Sequence, residues 1–247
     1  MLANLAKFQG PSAWRSVLQF ASTVLAYAVA VAAVYAALNV SVWLAVAMSI
    51  PAAGLVVRLF IIQHDCGHGS YFRSPHTNEI VGWLCSIVTL TPYSNWRRQH
   101  AGHRAVWNNL DQRYGGADIY SACLTLQEYL DLSPRRRWFY RIARHPAAAQ
   151  FILPPLVFLL LFRVPFDAPR TWHKERRGVH FTNLALAMMF SGLAVLLGWK
   201  QVLLVQLPIV ILAPIVGVWL FPTLIRIEQV RHRYGPRCCH ALPNSFP

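Results

Sequence analysis

From Ser16 to Val57 the chain carries no Asp, Glu, Lys or Arg, a run of 42 residues. As one helix it would be about 63 Å long, roughly twice the ~30 Å hydrocarbon core of a bilayer. It therefore reads as two membrane-crossing helices with a tight turn near Asn39. A second run, Gly178–Ile225, is interrupted only by Lys200. It reads as another hairpin, with spans near Thr182–Trp199 and Val202–Phe221. Backbone polar groups cannot stay unpaired in lipid, and these runs lack the alternation of barrel strands, so the spans are expected to be helices. The expected fold is an all-α membrane protein: four transmembrane helices in two hairpins, with interfacial helices and a polar region on one side.

Two shorter apolar runs, Ile80–Pro92 and Phe151–Phe162, are too short to cross. Pro154-Pro155 also interrupts the second. Both are expected to be interfacial or re-entrant. The positive-inside rule supports this arrangement. With the N-terminus in the cytoplasm, only Lys200 among the charged residues faces outward, and the histidine-bearing region lies on the cytoplasmic side.

Composition narrows the functional classes. Hydrophobic residues make up 55% and charged residues 13%, against about 25% charged in soluble domains. Disorder is excluded, because disordered chains are poor in apolar residues and rich in charge. Five Cys, an odd number in a chain of this length, argue against a disulfide framework. The net charge of +14 would suit nucleic acid, but the apolar runs place the protein in lipid. The basic surplus then marks the anionic cytoplasmic surface, with Arg135-Arg136-Arg137 read as a headgroup-facing cluster. No nucleic-acid partner is expected.

Four of the ten histidines form two close pairs. His64 and His68, in His64-Asp65-Cys66-Gly67-His68, share a helical face at i, i+4. His100 and His103 do so at i, i+3. Paired imidazoles at these spacings can grip one ion, and imidazole suits Zn, Cu, Fe and Ni alike. The ligand type therefore leaves the metal open. Asp65 reads either as a partner orienting an imidazole or as a helix-end charge. Cys66 reads as a structural thiol. The remaining histidines (His76, His145, His173, His180, His232 and His240) read as structural, interfacial or tail residues.

The residues around these pairs resemble a known family. Gln63-His64-Asp65-Cys66-Gly67-His68-Gly69-Ser70 resembles the first histidine box of the integral-membrane fatty acid desaturases. Trp96-Arg97-Arg98-Gln99-His100-Ala101-Gly102-His103 resembles their second. Asn109-Leu110-Asp111-Gln112-Arg113 and Gly116-Ala117-Asp118-Ile119 are similar to the segment that trails this box in bacterial members. The resemblance implies a desaturase domain over residues 1–221, with His64, His68, His100 and His103 as metal ligands and no catalytic residue beyond them. It further implies iron as a di-iron centre, dioxygen as co-substrate, and a membrane lipid or other acyl chain as substrate. Electrons would come from a ferredoxin or a b-type cytochrome, and the bacterial inner membrane would be the site.

Two positions depart from the family pattern. Arg104 stands where the second box has another His, and a guanidinium has no lone pair to give a metal. Pro222–Pro247 holds no HxxHH, where the third box is expected, and reads as a divergent tail left by truncation or an altered frame. From this the chain is expected to be an impaired desaturase. The alternatives are an inactive desaturase-like membrane protein and a single-metal zinc protein.

Overall fold

The computed structural model describes residues 11–106, 124–165 and 168–233, excepting the side chains of 103–106 and 221–233. Every regular element among the described residues is a helix, and there is no strand among them. Helix α1 covers Ala13–Leu38 and ends at Asn39, where the sequence places the turn. The side chain of Ser41 then accepts the Trp43 N–H and caps α2, Val42–Gly67. Ser74 caps α3, Pro75–Thr89, with Pro75 in its first turn. There the missing N–H of proline costs nothing. Leu90, in the left-handed region at φ 57°, turns the chain toward α4, Tyr93–Val106.

Short helices come next. They are α5, Leu126–Asp131, with a Thr125/Glu128 capping box, and α6, Pro134–Arg144. Beyond them lie a π turn at Ala148–Ile152, α7, Leu153–Leu159, and a 3-10 turn at Leu161–Arg163. Two long helices close the described chain: α8, His173–Leu197, and α9, Trp199–Arg233. The break between them falls at Gly198, φ 88°, two residues before the Lys200 interruption that marks it in the sequence.

Four helices are long and apolar enough to cross a bilayer: Ala13–Leu38, Val42–Gly67, His173–Leu197 and Trp199–Leu220. The chain is thus an all-helical, multi-pass membrane protein. At 15 residues, α3 reaches about 22 Å, short of the ~30 Å core. The stretch Ala148–Arg163 is bent by 66° against Pro134–Arg144, with Pro154 and Pro155 in the first turn of α7. The pair would make a fifth span only if counted as one broken helix.

Helix α2 is the hub. Its first half packs Ala45, Ala52, Ala53 and Val56 against Val34 and Ala37 of α1 and Val205, Ile209 and Ala213 of α9. Such small residues let helix backbones approach closely where lipid supplies no hydrophobic drive. Its second half packs Leu59, Ile62 and Cys66 against Tyr71 and Phe72, Val81 and Cys85 of α3, and Tyr93 of α4. The histidine pairs stand at the end of this second cluster. Arg163 ties the re-entrant segment to the same corner. It donates to the Leu90 carbonyl and to Asn183 Oδ1 of α8 at 3.1 Å, and Asn183 Nδ2 donates back to the Arg163 carbonyl at 2.6 Å.

Candidate metal centre

Residues 63–68 form the last turn and a half of α2 and its cap. Gln63 is fully buried and points to the α3–α4 corner. Its Oε1 accepts the Thr89 hydroxyl at 2.6 Å, and its Nε2 donates to the Thr91 carbonyl at 3.1 Å. One residue on, about 100° round the helix, the His64 ring lies 4.8 Å from that of His100. Gln63 therefore fixes the rotation of α2 and the start of α4 together.

The first three imidazoles then meet. His68 Nε2 lies 3.1 Å from His64 Nε2 and 3.2 Å from His100 Nε2. Ligand atoms from His64, His68 and His100 all fall within 4.8 Å of one another. Metal–imidazole bonds of about 2.0–2.1 Å set neighbouring nitrogens about 2.8–3.0 Å apart in an octahedral shell and about 3.3–3.4 Å apart in a tetrahedral one, so the two distances from His68 fall in the range of ligands to a shared ion. The chemistry of the donors agrees. Nε2 of His68 has one lone pair or one proton and serves one imidazole neighbour at a time, whereas a cation is served by all three. These residues can hold a metal ion.

Asp65 Oδ1 lies 3.2 Å from His64 Nδ1. Accepting that ring proton leaves the Nε2 lone pair of His64 turned to the cluster, the usual division of labour in carboxylate–imidazole–metal sites. Cys66 takes no part: it is buried among apolar residues of the second cluster. Burial pushes the thiol of its neighbour Cys85 up to about 12, so Cys85 stays protonated and is a poor ligand. His103 comes one turn after His100 on α4, but its side chain lies outside the described residues, as does that of Arg104.

An aromatic layer borders the cluster. Trp96 stacks on His100 at 4.9 Å and 11° and lies 5.8 Å from His64. It approaches α2 over Gly67, where a Cβ would meet its ring at 2.9 Å. Phe60, one turn before His64, packs edge-on against Trp96 at 5.4 Å. On its other side Phe60 lines an apolar cavity of about 430 Å³ between α2, the α3–α4 corner, α7 and α9. Val56, Leu90, Phe158, Ala213 and Gly217 complete much of the wall.

Gln63, Trp96 and Phe60 were not singled out as functional residues by the sequence. Gln63 carried a signal, as an uncharged polar side chain inside an apolar span, directly before a candidate ligand. Trp96 carried only its place at the head of the second motif, and Phe60 carried no signal, because aromatic residues are common in membrane helices.

Helical bundle and histidine cluster together define a multi-pass membrane protein with three imidazoles placed to hold a metal ion. Comparison with known proteins gives its family. The family model described as fatty acid desaturase matches residues 41–243, and the chain belongs to that family. It is 38% identical over 219 residues to a fatty acid desaturase of Bacillus subtilis, covering 88% of this chain and 60% of that protein. It is 43% identical over 124 residues to an sn-1 acyl-lipid omega-3 desaturase (ferredoxin) of Synechocystis, covering 50% of this chain and 28% of that protein. An sn-1 oleoyl-lipid 12-desaturase of Picosynechococcus is 34% identical over 92 residues, 37% of this chain and 26% of that protein. The chain thus spans less than two thirds of each of these relatives. No solved structure matches it.

Proposed function

We propose that the chain is the membrane portion of an acyl-chain desaturase, an oxidoreductase that introduces a double bond with dioxygen. One observation carries the reading: three convergent imidazoles stand one aromatic layer away from an apolar cavity. Each methylene transferred into such a cavity is worth about 0.8 kcal/mol, so a fatty acyl chain suits it. The relatives named as acyl-lipid desaturases support a lipid-borne substrate, and the one named with ferredoxin supports a small electron-transfer protein as donor. In our reading, a ferredoxin or a b-type cytochrome serves. The overall change balances: two hydrogens leave adjacent carbons with their electrons, two electrons and two protons arrive from the donor and solvent, and dioxygen becomes two waters.

His64, His68, His100 and His103 would hold iron. Bound iron supplies the oxidising power toward an unactivated methylene that no side chain has. The chain's own residues do the rest. Asp65 fixes the tautomer of His64, Gln63 fixes the register of α2 against α4, and Phe60 and Trp96 keep water from the space between cavity and imidazoles. We place this centre on the cytoplasmic side of the bacterial inner membrane, since that topology leaves Lys200 alone outside.

A second reading has its own observation. Arg104 stands beside the four box histidines, where it cannot ligate. Four imidazoles make a closed tetrahedral set for one zinc ion. Metal analysis of the purified chain separates the two: two irons per chain against one zinc. His64→Ala and His100→Ala should each lower metal affinity by more than the about 10–100-fold typical of losing an orienting partner. Unchanged metal content in both variants would refute the site. Because no more than four box ligands are present within these residues, lipids of cells expressing this chain alone should gain little unsaturation. Abundant new double bonds would show that four suffice.

A further inference from the structure

We propose that the first two turns of α8 bind the phosphate group of a membrane phospholipid, with an acyl tail lying along the same face of the helix. The site is separate from the histidine cluster and does not rest on the desaturase reading. His173, Arg176, Arg177 and His180 line one groove of about 620 Å³. At i, i+3, i+4 and i+7 they occupy one helical face. The opposite face is the packed one, with Val179, Thr182 and Leu186 buried.

Charge and donors both suit a phosphate. Two described carboxylates of this region are already engaged: Glu175 accepts from Arg98 at 3.2 Å, and Glu79 pairs with Lys174 at 2.6 Å. Among the described residues no carboxylate lines the groove. The start of a 25-residue helix adds its own partial positive charge. Arg176 is fixed in place because its Nη1 donates to the Pro165 and Ala168 carbonyls at 3.2 and 2.9 Å. Arg177 spends only its Nε–H internally, on the His173 carbonyl at 3.3 Å, which leaves the fork of its guanidinium for a bidentate acceptor.

The next two turns of the helix decide between a lipid and a free anion. Phe181, Leu184 and Met188 are 61%, 55% and 63% exposed. The series 173, 177, 180, 184, 188 is one continuous stripe, cationic and imidazole-bearing for two turns and then apolar for two. A headgroup phosphate joined to an acyl chain matches that order, and inorganic phosphate uses only its upper half. Basic pockets beside membrane helices bind lipid headgroups on this principle.

The test uses the full chain purified in a neutral maltoside detergent. It is titrated with dihexanoyl phosphatidylglycerol and, separately, with inorganic phosphate, and binding is read by thermal shift and by native mass spectrometry. The lipid should bind about tenfold or more tightly than inorganic phosphate. The double variant R177Q/H180Q should lose about tenfold in lipid affinity, the scale of one charge-assisted hydrogen bond, while R177K keeps most of it. Leu184→Ser should weaken the lipid and leave inorganic phosphate unaffected. Circular dichroism identical to that of the parent shows each variant folded. Should R177Q/H180Q misfold, the two single variants carry the same expectation. Equal lipid binding by the parent and the charge variants would overturn the site, and equal affinity for lipid and inorganic phosphate would overturn the tail.

Discussion

Helices α1 and α2 are all but equal in mean hydropathy, yet 44% of the apolar window of α2 is buried inside the protein against 11% of that of α1. The two form one hairpin and cross the same bilayer, but one is the hub of the bundle and the other its lipid-facing edge. Hydropathy reports only that a helix prefers oil to water, and lipid and protein interior satisfy that preference equally. The placement of polar and small residues separates the roles. Between its ends α2 carries Ser49, Gln63 and a file of alanines, all buried. α1 presents Leu25 and Val29 outward, 66% and 61% exposed, and meets its neighbours along Ser16, Thr23, Val34 and Ala37.

The sharpest way to break this contrast is Gln63→Leu. The change keeps the volume close and the hydropathy higher, so on hydropathy alone it is harmless. It leaves the Thr89 hydroxyl and the Thr91 carbonyl without the partners they now have. At about 1–3 kcal/mol for each buried group left unmade, the loss should be about 3 kcal/mol. Unfolding in mixed micelles measures it, and a loss below about 0.5 kcal/mol would mean that Gln63 does not lock the corner. Gly82→Ala should come next, at about 2 kcal/mol, the usual size of core overpacking. A Cβ there would stand 2.3 Å from the Tyr93 ring, and Tyr93 opens the helix that carries His100. On the lipid-facing edge, Leu25→Ala should cost less than about 0.5 kcal/mol. A loss there as large as that of Gly82→Ala would mean that α1 has a protein partner on its outer face.

The same contrast explains what could be read in advance. The four spans, the turn at Asn39 and the short α3 come from absent charges and chain length, which are one-dimensional quantities. The i, i+4 spacing brings His64 and His68 together because one helix fixes it. Their meeting with His100 depends on how α3 folds α4 back onto α2, through Leu90 in the left-handed region and the Gln63 bonds. That is a three-dimensional fact with no local signature; in the sequence only the family resemblance pointed to it. The cavity is less legible still. Its walls come from α2, α3, α7 and α9, and an apolar residue lining a void is written no differently from one facing lipid. The positions of Phe60 and Gly217 therefore emerge only from the packing.

The smallest expected effect lies where the hub's partner α3 touches α8 at the surface. Lys174 Nζ stands 2.6 Å from Glu79 Oε1. The hydrogen bond from Lys174 holds the Glu79 carboxyl below the usual carboxylate range, burial opposes that, and the charges of Lys174, Arg97 and His76 add to the lowering. Because the folded value is the lower one, the contribution is complete above the ordinary carboxylate range and disappears as pH falls through the folded value. Both side chains are substantially exposed, 56% for Lys174 and 40% for Glu79, so solvent screening keeps the pair to about 0.5 kcal/mol. Glu79→Gln should lower the melting temperature slightly at pH 7, less in high salt, and progressively less as the pH falls through the lowered folded value. A difference that persists unchanged below that value would mean that the Glu79 side chain matters for its packing, and that its charge has no part in holding α3 to α8.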